Sequence, residues 1–109
     1  MPNIIQGVIV LQLTESSIER NLRNRIQALG GLCLKIPTVF MCGFPDRLVL
    51  LPGGIVKFVE LKRPKAQLQA VQAKRFKQLI DLGFDVRMLD TPQKVMRFVE
   101  EVSNAKFDT

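Results

Sequence analysis

The chain has 109 residues, 47% of them apolar, which is enough for one modest core and points to a single domain over 1–109. It contains no His, Trp or Tyr, so acid–base chemistry falls to carboxylates, Lys, Cys or a metal-bound water, and two cysteines alone leave too few soft ligands for a structural zinc site. The net charge of +6 is concentrated in residues 57–77, which carry seven basic groups and one acidic group, an excess that suits a polyanion such as nucleic acid.

In chain order, Ile4, Ile5 and Val8–Leu11 form an apolar run broken by Gln6, Gly7 and Gln12. It is too short and too interrupted to span a bilayer, so residues 1–13 are read as a strand-like extension and no membrane partner is expected. Cys33 and Cys42, in a chain with no signal-peptide pattern, fit free thiols in a reducing cytoplasm. Thr14 or Ser16 can cap a first helix over about Glu15–Leu29, and Ser16 with Glu19 has capping-box spacing. Ile18, Leu22, Ile26 and Leu29 form its buried stripe. Leu32–Ile36 reads as a strand ended by Pro37, and Thr38–Pro45 as a loop. Asp46–Leu51 and Ile55–Lys62 flank the turn Pro52-Gly53-Gly54, which makes them an antiparallel hairpin. A second helix is expected over Leu68–Leu82, with Leu68, Val71, Leu79 and Leu82 inward and Gly83 as its stop. Phe84–Leu89 is a fourth strand. Thr91-Pro92 has the form of a cap and first helical residue, opening a last helix through Val95, Met96, Val99 and Val102, after which residues 103–109 read as a frayed tail. The class is α/β, a mixed sheet with helices on its faces and an αβββαβ core.

Charged residues at the ends of apolar strands need partners, because an unpaired buried charge is costly. Asp46 opens one hairpin strand, while Glu60 and Lys62 end the other, two residues apart and therefore on one face. The hairpin brings all three to one edge of the sheet. Asp46 and Glu60 offer hard oxygens, and the Leu61 backbone carbonyl can add another, a set that suits Mg²⁺ or Mn²⁺ with several retained waters. Such an ion lowers the pKa of a bound water and offsets charge developing on a phosphate. Lys62 can orient that water or stabilise the charge. On the first helix, Glu15 falls near the centre of the apolar stripe and Glu19 towards its edge, which favours Glu15 as the helical acid, with Glu19 as the alternative. Gln72 falls on the inward face of the second helix, where a polar side chain needs a partner. Arg75 shares that face, and Arg63, Lys65 and Lys74 are candidate phosphate contacts, Arg63 and Lys65 foremost because they flank the site.

The run Gly43-Phe44-Pro45-Asp46, followed fourteen residues after Asp46 by Glu60-Leu61-Lys62, resembles the PD-(D/E)XK nuclease signature. With Glu15 on the first helix, the Glu-Leu-Lys-Arg strand end and Gln72 on the following helix, it is similar to the VRR-NUC branch, in particular small stand-alone phage or bacterial members. The resemblance covers about Thr14 to Met96. It implies a restriction-endonuclease-like fold and a divalent-metal nuclease acting on DNA, often branched DNA, in repair, recombination or phage genome processing. The implied location is the cytoplasm of a bacterium or a phage-infected cell. The competing readings are a catalytically inactive DNA-binding module on the same fold and a structural domain whose basic face serves solubility. A homodimer is also expected. One short chain carries one site, whereas branched DNA presents two strands, and Ile4–Leu13 with Val39, Phe40 and Met41 exceed what one small core needs.

Overall fold

The computed structural model describes residues 15–37, 41–62 and 67–107. The strand-like extension expected over 1–13, the loop residues Val39 and Phe40, and the basic residues Arg63 and Lys65 lie outside the described residues. The elements follow the order αβββαβα: α1 (Glu15–Ala28), β1 (Leu32–Lys35), β2 (Arg47–Leu51), β3 (Ile55–Leu61), α2 (Ala70–Asp81), β4 (Asp85–Leu89) and α3 (Pro92–Phe107). The strands form one sheet in the order β1-β2-β3-β4. The first three run antiparallel, and β4 lies parallel to β3. A parallel neighbour requires a crossover, which α2 supplies.

The alternation of side chains along the strands sorts the molecule into two faces. On one, Cys33, Val49, Leu51, Val59, Leu61 and Leu89 meet Ile18, Leu22 and Ile26 of α1 and Val95, Phe98 and Val102 of α3 in a single aliphatic core. The four-residue spacing of the α1 positions is what lines them up on that side. Leu22, Ile26, Val49, Val59, Leu61 and Val95 are completely buried, and each such burial stabilises by about 1.5–3 kcal/mol. Charged residues close one end of this face. Lys57 and Asp85 are register partners with Nζ 2.6 Å from Oδ2, and Arg87 joins Asp85 to Glu101 of α3.

On the other face Phe58 lies at the centre, with Phe44 and Phe84 edge-on at ring separations of 6.5 and 5.5 Å. The helix on this side is α2, whose buried residues are Phe76 and Leu79. This corrects the expected inward stripe, because Val71 is 41% exposed and Leu82 74%. Gln72 and Leu79, both expected inward, do face the sheet, and Phe76 joins them in place of Val71 and Leu82. The aliphatic positions lost to a line that starts on a polar residue, because the strand end opposite Gln72 is itself polar.

At the first helix the structure replaces the Ser16–Glu19 capping box. Ser16 already lies inside α1, and the Glu19 carboxylate accepts from Arg23 Nη1 at 3.1 Å. Thr91 does cap α3, its Oγ1 accepting from Lys94 N–H at 3.1 Å. That helix runs on to Phe107, past the point where the sequence reading has a frayed tail. In the hairpin turn Gly53 and Gly54 both take positive φ, 89° and 75°, a conformation that side chains with a Cβ rarely adopt. Among the described residues no helix is long and apolar enough to cross a membrane.

Candidate active site

The hairpin fixes the site. Arg47 pairs with Val59, Leu48 with Phe58 and Leu51 with Ile55, so one more step along the ladder sets Asp46 opposite Glu60. The fourteen residues between them are therefore the length of one hairpin folded about Pro52-Gly53-Gly54. Two crossed hydrogen bonds lock this pair. Asp46 N–H donates to Glu60 Oε1 at 3.0 Å, and Leu61 N–H donates to Asp46 Oδ1 at 3.1 Å. Each carboxylate is thus held by the backbone of the other's strand.

The approach to Asp46 is a tight loop. Gly43 has a φ of +83°, and a Cβ there would stand 2.7 Å from the Val71 carbonyl oxygen of α2. Only glycine lets the loop pass so close to the helix that carries Gln72. Pro45 is buried next to it, and Ile36 N–H donates to the Asp46 carbonyl at 2.8 Å, tying the loop's end to the strand after β1.

Glu60 is 4% exposed. A carboxylate so deeply placed has to be compensated. Its Oε2 receives Lys62 Nζ and Gln72 Nε2, both at 3.1 Å. Gln72 is itself oriented, because its Oε1 accepts from Gln69 N–H at the start of α2 at 3.0 Å, which leaves the amide nitrogen to face Glu60. Lys62 shares Glu60's face as the two-residue spacing requires, and its N–H continues the parallel ladder to the Leu89 carbonyl at 3.2 Å. Asp46 Oδ2 accepts from Arg47 Nη1 at 3.1 Å. Arg47 projects to the core side of the sheet with 7% exposure, and its Nε lies 3.9 Å from Glu19 Oε1.

Sequence reasoning missed Arg47. The signal was present, since positions 47, 49 and 51 alternate inward along β2 and only the first is charged. Of the helical acids, Glu19 is engaged by Arg23 and Arg47, while the side chain of Glu15 lies outside the described residues. Arg75 is drawn away from the carboxylates, its guanidinium 5.3 Å from the Phe44 ring centre and its Nη1 2.7 Å from Gln78 Oε1. Lys74 is exposed on the outer side of α2.

The donor set fits a small hard cation. Among the described residues there is no group of three His, Cys, Asp or Glu side chains that could hold a metal. The paired carboxylates of Asp46 and Glu60 nevertheless match the habit of Mg²⁺, which takes one or two carboxylates and keeps its waters. Each oxygen that accepts one N–H bond retains a second lone pair for an ion.

No family model matches the chain. A curated relative, "Putative nuclease p44" of Acyrthosiphon pisum secondary endosymbiont phage 1, is 37% identical over 79 residues, spanning 72% of this chain and 85% of the relative. Among solved structures, a VRR-NUC domain superposes with a TM-score of 0.74 at 29% identity, over 79% of this chain and 94% of that one. Its restriction-endonuclease-like architecture is the mixed four-stranded sheet with flanking helices described above. The chain belongs to the VRR-NUC family of nucleases.

Proposed function

We propose that the protein is a divalent-metal-dependent DNA endonuclease, using Mg²⁺ or Mn²⁺, that is selective for branched substrates such as four-way junctions or flaps. It acts in repair, recombination or phage DNA processing in the cytoplasm of a bacterium or phage-infected cell. The observation that carries this reading is the interlocked pair Asp46–Glu60 with Lys62 on the same carboxylate. Asp46 and Glu60 supply the charged ligands, the Leu61 carbonyl an additional oxygen, and Glu15 a further acid from α1, with Glu19 as the alternative. When bound, the ion supplies an acidified water and offsets charge developing on the phosphate. Lys62 Nζ holds the attacking water in line or donates to a phosphate oxygen. Gln72 holds the Glu60 carboxylate in place while Lys62 leaves it for the substrate. Arg63, Lys65, Lys74 and Arg75 add phosphate contacts from the basic segment.

A cleavage panel of four-way junction, flap, splayed arm and linear duplex, each with Mg²⁺, Mn²⁺ or EDTA, tests activity and substrate together. Metal-dependent incision of the branched substrates ahead of duplex is expected, and an inert protein throughout would overturn the proposal. The working form is a homodimer. Its support is the apolar row left open on the face away from the core, where Leu32 is 53% exposed, Leu34 43% and Val56 39%. Light scattering at micromolar concentration should give twice the chain mass. A monomer that still makes paired incisions would contradict the dimer.

A further inference from the structure

A second charged feature of the molecule lies outside residues 57–77, the only segment that composition singles out. Ser16, Arg20 and Arg23 share one flank of α1, spaced four and three residues apart, and that flank overhangs β1, the edge strand of the sheet. Between helix and strand is an open cleft of about 680 Å³, whose walls include Ser16, Glu19, Arg20, Arg23, Lys35 and Arg47. Lys35 and Arg47 are register partners and so project to the same side, that of α1. The named walls bring together four cations and one carboxylate.

The cations differ in what already neutralises them. Arg23 is spent on Glu19, at 3.1 Å. Arg47 is 93% removed from solvent and bridges Asp46 and Glu19, yet its Nε makes no hydrogen bond. Arg20 and Lys35 are exposed, and neither has an acidic partner among the described residues. Two cations at the rim with no acidic partner among the described residues, the charges of Arg23 and Arg47 behind them and a wall on the first turn of a fourteen-residue helix together favour an anion. Position decides which anion. Arg47 Nη1 is 3.1 Å from Asp46 Oδ2, so the cleft opens directly beside the carboxylate pair, on the opposite side from α2.

We infer that the cleft between α1 and β1 is a backbone-binding site for DNA, in which Arg20 and Lys35 grip phosphates of the strand that passes over Asp46 and Glu60. The site rests on the nuclease reading for its ligand, but not for its test. It extends the DNA track across the edge of the sheet, so that the scissile strand is held from both sides of the Asp46–Glu60 pair. Arg47 links the two parts, joined to the cleft by its guanidinium and to the pair through Asp46. The contacts are electrostatic and carry no base preference.

The test is the double variant Arg20→Gln with Lys35→Gln, whose side chains are exposed and whose thermal melting should match the wild type. Binding of a short fluorescein-labelled duplex is followed by anisotropy in Ca²⁺ across a KCl series, and single-turnover cleavage of a four-way junction is followed in Mg²⁺ at saturating protein. The cleft predicts a several-fold weaker Kd and a salt slope smaller by up to about two, one for each lost phosphate contact. A variant with wild-type affinity and slope would overturn the cleft and leave a charged edge that merely guards β1 against pairing. A wild-type protein that binds DNA but cleaves nothing would overturn the nuclease reading, while the slope comparison still decides the cleft. A wild type that binds no DNA would overturn both.

Discussion

Val59 and Leu61 leave β3 on one side and Phe58 and Glu60 on the other, and the two sides are made to different ends. Towards α1 and α3 the strand meets a closed aliphatic core in which both residues are completely buried. Towards α2 it meets one helix, a cluster of three aromatic rings and a deeply placed carboxylate held by Lys62, Gln72 and a backbone N–H. The first side gains its free energy from area removed from water and from close packing. The second spends some of that free energy on keeping charges out of water beside the strand end, a sign that their placement serves something other than stability. One seven-residue strand thus presents the core on one side and, at its end, the candidate site on the other.

The comparison predicts opposite phenotypes for neighbouring residues, and the largest effect belongs to the polar side. Lys62→Ala and Glu60→Gln should each lower cleavage by about 10²-fold or more, the first by removing the cation proposed to hold the water or phosphate and the second by removing a proposed metal ligand. The urea midpoint of Glu60→Gln should stay near wild type, whereas Lys62→Ala leaves the buried Glu60 carboxylate without its cation and should lose some stability as well. Leu61→Ala, one residue away, should do the reverse. It leaves a cavity in the core and costs about 2–5 kcal/mol of stability, while the fraction that remains folded cleaves normally. Equal losses of stability in Glu60→Gln and Leu61→Ala would erase the distinction between the faces.

A smaller effect sharpens it. Gln72→Ala removes a donor from Glu60 without touching the proposed ligands, so the apparent metal affinity should fall by about 10–100-fold with the fold retained. Isothermal titration with Mn²⁺ reads this directly, and an unchanged affinity would reduce Gln72 to a cap for α2.

The smallest effect tests the core side through pH. Burial pushes the Cys33 thiol up from its ordinary 9.0 to about 11, further adjusted by Arg47, Glu19, Asp46 and Arg23. Since the folded value exceeds the unfolded one, this thiol's contribution is complete below pH 9 and is lost as pH rises from there through 11. Urea stability should therefore decline over that window, and Cys33→Ala, though less stable at neutral pH, should decline less. At neutral pH an alkylating reagent should modify exposed Cys42 and spare Cys33. Equal labelling of the two would show that the core opens readily.

What was legible in the sequence followed from local rules. Asp46, Glu60 and Lys62 could be brought together because a hairpin's register is arithmetic and a strand's faces alternate, neither of which needs knowledge of distant partners. The stripe of α1 and the cap of α3 were readable for the same reason. Arg47 and the burial of Phe76 in place of Val71 and Leu82 were not, because each is set by what lies across the molecule. A guanidinium can be buried at an inward strand position only if Asp46 and Glu19 both come to meet it. Phe76 outranks Val71 and Leu82 beside Leu79 only once Gln72 must face Glu60. The cleft beside β1 stayed hidden in the same way, since its cations come from three elements and form no run in the chain.

The central claim is that Asp46, locked to Glu60, makes this strand end a metal-dependent cleavage centre. Single-turnover cleavage of a four-way junction by wild-type protein and Asp46→Asn, in Mn²⁺ and after chelation, tests it most directly. The account predicts cleavage by the wild type that stops when the metal is removed, and none by a folded Asp46→Asn. Wild-type turnover in Asp46→Asn, or cleavage that survives chelation, would contradict it.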